Sequence, residues 1–461
     1  MKSAGISRRA FLRATAAGVA AALPGGMAAG AAKGRKRPNF VVIMADDLGY
    51  ECIGANGGRS YKTPVLDKLA AGGVRFEHGY AQPLCTPSRV KLMTGICNVR
   101  NYVRFGLLDP KQTTFAHVLK RAGYATCVVG KWQLGGGLDG PKHFGFDEYC
   151  LWQLNRRPGR YPNPGLEVNG KQIDYTNGEY GPDVVSDFAC DFMQRNRDKP
   201  FLVYYPMILT HCPFEPTPDS ADWDPKSKGS KTYKGNAKYF GDMVTYMDKI
   251  VGKLVSKLGE LGLRENTLVI FTGDNGTDKP VVSRMGDRQV KGGKGSMTDA
   301  GTRVPLIASW PGTAARGKVC GDLVDLSDFL PTLCECADLP VPDEPAPDGR
   351  SFLPQLKGER GNPRKWIYCW YSRSGAAAAA KEFARMQRYK LYRTGKLYDV
   401  GRDVLEQSPL GESDLDEEAR KVRSMLQGAL DKYADARPAS LNKPAKAKAG
   451  GKRRKQKTKA K

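Results

Sequence analysis

Four short apolar runs, each ending in polar or ionisable residues, constrain this chain more than any other feature. They are Phe40 to Ala45 before Asp46 and Asp47, Thr126 to Gly130 before Lys131, Phe201 to Leu209 before His211, and Leu268 to Thr272 before Asp274 and Asn275. Continuous runs rich in Val, Ile, Tyr and Phe, with no polar alternation, suit strands covered on both faces, as in a parallel sheet. Helical patterns lie between them at 63–71, 113–122, 183–197 and 242–261, the last with Val244, Met247, Ile250, Val251, Leu254 and Leu258 on one stripe. Alternating strands and helices predict an α/β fold with a large, mostly parallel sheet flanked by helices. Open sheets of this class bind ligands beyond the carboxyl ends of their strands, where all four runs deliver their reactive side chains. Any one run is an ordinary polar loop; four together point to a site.

The net charge of +25 suggests a nucleic-acid binder until it is located. Residues 1–37 hold eight Lys/Arg and 443–461 hold ten, with no acid in either, which leaves about +7 for the body between them. No nucleic-acid partner is therefore expected. Arg8-Arg9-Ala10-Phe11-Leu12, followed by a mild Ala-rich run and small residues near Ala31, reads as a twin-arginine export signal over 1–32, placing the mature protein in the periplasm or outside the cell. That run is too short and too mild for a transmembrane anchor. Eleven cysteines in an exporting chain permit disulfides, yet no CxxC or Cys/His metal spacing occurs, and the odd count leaves at least one unpaired, Cys85 being the candidate. The main domain is expected over 38–355 and a smaller α+β subdomain over 360–440, with strands at 365–371 and 389–399 and a terminal helix at 414–433. Residues 443–461 are low-complexity basic sequence with too little apolar content to fold.

Asp46, Asp47, Asp274 and Asn275 offer hard oxygen ligands, which favour Ca²⁺ or Mg²⁺ over Zn²⁺. An Asp-Asp pair at a helix cap or solvated turn is the competing account. Of the four histidines, His78, His117 and His143 have structural or surface contexts, whereas His211 follows an apolar run and precedes Cys212-Pro213, where an imidazole could serve a leaving group. Lys131 follows a strand, and Lys294 lies in Lys291-Gly292-Gly293-Lys294-Gly295, where glycines would let an anion approach. The phosphate-binding loop pattern ending in Lys-Ser/Thr is absent.

Cys85-Thr86-Pro87-Ser88-Arg89 followed by Thr94-Gly95 resembles the signature of the type I, formylglycine-dependent sulfatases of the alkaline phosphatase-like superfamily. The resemblance continues through 39–50, 130–135, Asp274-Asn275-Gly276, 291–312 and Leu397-Tyr398-Asp399. It implies an alkaline phosphatase-like sandwich and hydrolysis of sulfate monoesters. It also implies that a maturation enzyme oxidises Cys85 to formylglycine, whose hydrated aldehyde offers one hydroxyl to attack sulfur and another to help expel sulfate. By the same resemblance Asp46, Asp47, Asp274, Asn275 and residue 85 would hold one Ca²⁺. Arg89 and Lys131 would position the modified residue, Lys131 and Lys294 would contact sulfate oxygens, and His211 would serve the leaving-group oxygen. Preorganised cations facing the transferring group usually contribute more to such catalysis than any other single effect.

One position departs from the family pattern: where Gly-Lys-Trp-His-Leu-Gly is usual, this chain reads Gly130-Lys131-Trp132-Gln133-Leu134-Gly135. Glutamine cannot take a proton at neutral pH but can orient a hydroxyl. Three functions therefore remain open: an exported sulfatase acting on a sulfated carbohydrate or aryl sulfate, a phosphonate or phosphodiester hydrolase on the same scaffold, or a weakened homologue that binds sulfated glycan. The two-zinc phosphatase version is disfavoured by the scarcity of histidine. Trp152, Arg156, Arg157, Tyr161, Trp223 and Tyr233, in the 136–180 and 213–240 segments, could contact sugar or pack as surface.

Overall fold

The computed structural model describes residues 37–442; the expected signal at 1–32 and the basic tail at 443–461 lie outside the described residues. The central sheet has ten strands: β1 (Asn39–Ala45), β2 (Val74–Tyr80), β3 (Ala125–Lys131), β4 (Glu148–Trp152), β5 (Gly165–Val168), β6 (Lys171–Asp174), β7 (Phe201–Pro206), β8 (Thr267–Gly273) and, after a hairpin of β9 (Val282–Met285) and β10 (Arg288–Lys291), β11 (Arg303–Ser309) and β12 (Lys318–Asp325). Their order is β12-β2-β11-β8-β1-β7-β3-β4-β5-β6. At the centre β1 runs parallel between β7 and β8, with Val41 opposite Val203 on one side and Val269 on the other, and β3 runs parallel to β7 and β4. Antiparallel pairs gather away from that centre, where β11 joins β2 and β8 and where β5 joins β4 and β6.

The uninterrupted apolar runs are explained by burial on both faces. In β1, Phe40, Val42 and Met44 point into one core while Val41, Ile43 and Ala45 point into the other. The helices Pro64–Ala71, Gly181–Arg195 and Phe240–Glu260 cover the second core, and in the last of them Met243, Met247, Ile250, Val251, Leu254 and Leu258 are buried at helical spacing. The helices Cys85–Thr94, Phe115–Arg121 and Phe329–Cys336 cover the first core.

Some expected boundaries move. The run at 201–209 ends as a strand at Pro206, whose missing N–H cannot continue the ladder, and His211 lies beyond it in a turn closed by its N–H to the Ile208 carbonyl (3.2 Å). The expected strand at 389–399 is a hairpin, β15 (Tyr389–Tyr392) and β16 (Leu397–Asp399), closed by the Gly395 N–H on the Tyr392 carbonyl at 2.9 Å. With β13 (Ile367–Tyr371) and β14 (Lys381–Arg385) they make a four-stranded antiparallel sheet. The helix Glu417–Asp431 packs against this sheet and is N-capped by Asp416, which accepts from Ala419 N–H at 2.7 Å.

The ammonium of Lys91 joins the small sheet to the large one, donating to Asp325 (2.7 Å) and to the Tyr368 carbonyl (3.1 Å) in the interior. No helix among the described residues is long and apolar enough to cross a membrane. Cys85 is a free thiol, as are the other cysteines apart from Cys336, so no disulfide joins any of these.

Candidate active site

Sheet topology carries Asp46 and Asp47 out of β1 beside Asp274 and Asn275 out of β8 because those two strands are parallel neighbours in register. Asp47 turns its backbone to φ 62°, a sparsely populated conformation for a non-glycine residue, and its N–H donates to Asp274 Oδ1 at 3.1 Å. Asn275 Nδ2 donates to Asp47 Oδ1 (2.8 Å) and to the Gly276 carbonyl (2.9 Å). Three cations balance the three carboxylates. Lys131 Nζ lies 2.6 Å from Asp46 Oδ2, Lys294 Nζ 2.5 Å from Asp47 Oδ2, and Arg89 Nη2 3.0 Å from Asp274 Oδ2. Neither lysine is a solvated surface group.

Two buried acceptors of this cage, Asp46 Oδ1 and Asn275 Oδ1, have no hydrogen-bond partner. Leaving such groups unpaired costs about 1–3 kcal/mol each, so their orientation needs an explanation. Ligand atoms of Asp46, Cys85 and Asp274 lie within 4.8 Å of one another, as do those of Asp46, Asp47 and His211. A donor set dominated by carboxylate and amide oxygens fits a hard divalent cation. The electrostatics agree with a crowded anionic cage. Burial, followed by repulsion from Asp46, pushes the Asp274 carboxyl up to about 8. Burial also works to raise Asp46, but the Lys131 ammonium, with the Arg89 guanidinium behind it, outweighs it and holds that carboxyl below its ordinary value.

Cys85 opens the helix Cys85–Thr94, every residue of which is buried, so the thiol sits at the positive end of the helix dipole. Its Sγ donates to Gln133 Oε1 at 2.8 Å, and Thr86 Oγ1 donates to the same oxygen at 3.3 Å. Gln133 adopts φ 56°, a second strained backbone position in the site. Burial pushes the Cys85 thiol up, with Lys131 opposing. Arg89, one helical turn on, does not hydrogen-bond Cys85; its Nη1 donates to the Lys131 carbonyl at 2.8 Å. Ser88 Oγ donates to the Asp274 carbonyl, tying the same helix to the end of β8. His211 Nε2 is 3.8 Å from Asp47 Oδ2, and burial, then Lys131, push its imidazole well below the usual value, so the ring is neutral.

The glycines beside the lysines have a packing role. A Cβ on Gly130 would stand 2.1 Å from the Pro206 carbonyl oxygen, and one on Gly292 would stand 2.1 Å from that of Asp278. Close packing of neighbouring backbone therefore requires glycine at positions 130 and 292, whereas a Cβ on Gly295, next to Lys294, would meet nothing within 4 Å.

The ten residues singled out from the sequence converge on this centre. Cys85, Lys131, Gln133, His211 and Lys294 also face a cleft of about 470 Å³. Of the six aromatic and basic residues left open as sugar contacts, Trp152, Arg157 and Tyr233 line the cleft. Arg156 instead pairs with Glu167 and Asp174, while Tyr161 and Trp223 pack on Tyr180. Phe105, Gln153, Arg160 and Arg373 line the cleft without having been singled out; Arg160 shares a loop with Arg157, but nothing local marks Arg373. The other histidines are structural: His117 completes the cap of its helix with Thr114, and His143 Nε2 meets the Pro110 carbonyl at 2.7 Å.

The profile of the Sulfatase family matches residues 38–339, and that of N-sulphoglucosamine sulphohydrolase, C-terminal, matches 293–435. Human arylsulfatase A is 35% identical over 400 residues, spanning 79% of this chain and 74% of its own. Mouse N-acetylgalactosamine-6-sulfatase is 33% identical over 363 residues, spanning 70% and 67%. The crystal structure of Ps i-CgsB superposes with a TM-score of 0.74 at 27% identity, covering 87% of this chain and 94% of that one, and it has also been solved with k-i-k-neocarrahexaose.

Proposed function

The chain belongs to the sulfatase family of the alkaline phosphatase-like superfamily and is a sulfuric ester hydrolase, and from that premise we propose that it removes sulfate from a sulfated carbohydrate with a formylglycine made from Cys85. One observation carries the reading: Cys85, four oxygen donors and two lysines meet where β1, β3 and β8 end, at the floor of a cleft whose lining includes no carboxylate. The carbohydrate class is supported by a relative named for an N-acetylgalactosamine sulfate and by the oligosaccharide bound to Ps i-CgsB.

Asp46, Asp47, Asp274 and Asn275, with residue 85, would hold one Ca²⁺. When bound, the ion lowers the cost of deprotonating a hydroxyl and polarises a sulfate oxygen. Formylglycine supplies a hydrated aldehyde as nucleophile. The remaining work falls to this chain's own side chains. Lys131 and Lys294 bind sulfate oxygens as fixed positive charges at the point where negative charge builds. His211 would serve the leaving-group oxygen through Nε2, the ring nitrogen that Arg160 does not engage, in the tautomer in which Nδ1 accepts from Arg160 and Nε2 carries the N–H. Gln133 accepts a hydrogen bond from residue 85 and sets its orientation, leaving the proton transfer usually assigned to histidine to another base or to water. Arg89 holds Asp274 and the Lys131 backbone in place as a positioning residue. We further place the catalytic domain at 38–355, a smaller subdomain at 360–440 and an export signal at 1–32, giving a periplasmic or secreted enzyme that requires a maturation enzyme.

The test is the mass of the tryptic peptide Phe76–Arg89 from protein made in its own host, together with paired rates on an aryl sulfate and an aryl phosphonate. Formylglycine at position 85 and faster sulfate hydrolysis are expected. An unmodified thiol in exported protein overturns the reading in favour of a glycan-binding homologue, for which Gln133 is the supporting residue; faster phosphonate hydrolysis moves the protein to the phosphonate class.

A further inference from the structure

The cleft is lined by six Lys or Arg side chains and by no Asp or Glu. Three of the six have carboxylate partners behind the lining: Lys131 pairs with Asp46, Lys294 with Asp47 and Lys234 with Asp278. The other three, Arg157, Arg160 and Arg373, have no carboxylate within salt-bridge distance among the described residues. This is not a general habit of their loop, since Arg156, next to Arg157, is spent on Glu167 (3.1 Å) and Asp174 (2.7 Å).

We propose that Arg157, Arg160 and Arg373 form a second anion subsite, which takes an additional sulfate or carboxylate of the same glycan beside the sulfate ester that is hydrolysed. The proposal rests on the sulfatase reading above and names the substrate class within it: a glycan with at least two anionic groups.

The three guanidinium groups are held in place by uncharged partners. Arg160 stacks on Trp152 with its Cζ 3.8 Å from the ring centre, and its Nη1 lies 3.0 Å from His211 Nδ1, next to the expected leaving group. Arg373 lies over Phe105 at 5.1 Å. With the Gln153 amide turned so that its oxygen faces Arg157, that oxygen accepts from Nε and Nη2 at 3.1 and 3.0 Å. Stacking and amide contacts fix orientation without cancelling charge, so three like charges face one cleft and repel one another until an anion enters. The planar fork of arginine matches the paired oxygens of sulfate and carboxylate, which a lysine does not.

The basic lining also extends past the space one sulfate needs. Phe105 and Arg373 are shared with an adjoining depression of about 630 Å³, where Arg104 and Lys381 likewise lack a carboxylate partner among the described residues. At the cleft mouth Tyr233 is 66% exposed with its ring edge-on to His211, offering a flat apolar face for a sugar ring beside these charges.

The test compares kcat/KM for a monosulfated disaccharide, the same disaccharide with a second sulfate, and the same disaccharide with a uronate carboxylate. Wild-type protein is expected to prefer one of the two dianionic substrates by ~10-fold or more, the scale of one or two charge-assisted hydrogen bonds, and the preferred one identifies the second group. Arg157→Gln/Arg373→Gln brings that ratio close to one. Equal wild-type rates on all three, or a ratio that survives the double substitution, overturns the subsite while leaving the sulfatase reading intact. If no sulfate ester is turned over, that reading fails, and calorimetric affinities of the same three sugars for Cys85→Ala protein still decide the subsite. The same dianion preference, abolished by the double substitution, supports it, and equal affinities overturn it.

Discussion

Adding Ca²⁺ to cation-free protein will raise its melting temperature, by an amount that follows from the unpaired oxygens of the cage. Asp46 Oδ1 and Asn275 Oδ1 are buried acceptors that water does not reach, and a cation between them relieves a desolvation penalty of about 1–3 kcal/mol apiece. Because only the folded chain assembles the cage, binding stabilises by mass action, about 2.7 kcal/mol when free Ca²⁺ is 100 times its Kd. Unfolding entropy near about 2.1 cal/mol/K per residue, over the roughly 400 described residues, gives on the order of 0.85 kcal/mol per degree and therefore a shift of about 3 °C. The assay is differential scanning calorimetry of protein stripped with chelator and titrated with Ca²⁺, with Mg²⁺ in parallel. The shift should climb logarithmically once Ca²⁺ exceeds Kd. Asp46→Asn removes one charge from the cage and should reduce the shift to under about 1 °C at the same Ca²⁺. A melting temperature that does not respond to Ca²⁺ up to millimolar concentration would refute the argument from the orphaned oxygens.

Gln133 should slow but not stop turnover, so the modified enzyme makes many products per molecule; a burst equal to the enzyme followed by arrest contradicts this, and Gln133→His should raise kcat by ~10-fold or more. Lys91→Met strands the Asp325 carboxylate in the interior and should cost about 3–5 kcal/mol, read as a lowered urea midpoint; a change below about 1 kcal/mol would mean the pair does not join the two sheets. His78 is pushed down to about 4 by burial and then by Arg303 and Arg385, so below its unfolded value of 6.5 the unfolded chain binds more protons than the folded one. Stability tied to His78 is thus complete above pH 6.5 and lost as pH falls toward 4. His78→Gln should flatten the urea midpoint over that range, and an unchanged slope would count against the assignment.

Where burial is two-sided and local, the sequence was readable. The runs leading to Asp46, Lys131 and Asp274 became central strands because both faces of β1, β3 and β8 enter a core, leaving no polar alternation to confuse the pattern. Strands away from that centre were harder. β2 (VRFEHGY) is only half-buried at Arg75, Glu77 and His78, and β12 has exposed Val319 and Gly321, so neither shows a continuous run. The His211 segment was legible as chemistry but not as geometry, since the proline that ends β7 is followed by a turn whose shape depends on hydrogen bonds to Met44 and Asp46.

What the sequence determined by itself was the strand-end chemistry, the family signature around Cys85 and the unusual Gln133, because each is written in contiguous residues. Tertiary structure alone decided which charges are spent and which are free. Arg156 and Arg157 are adjacent in the chain, yet one is neutralised by Glu167 and Asp174 while the other opens on the cleft beside Arg373, more than two hundred positions away. Pairing depends on where distant carboxylates arrive after the sheet has assembled, and periodicity, which reports only the neighbourhood along the chain, carries no record of it.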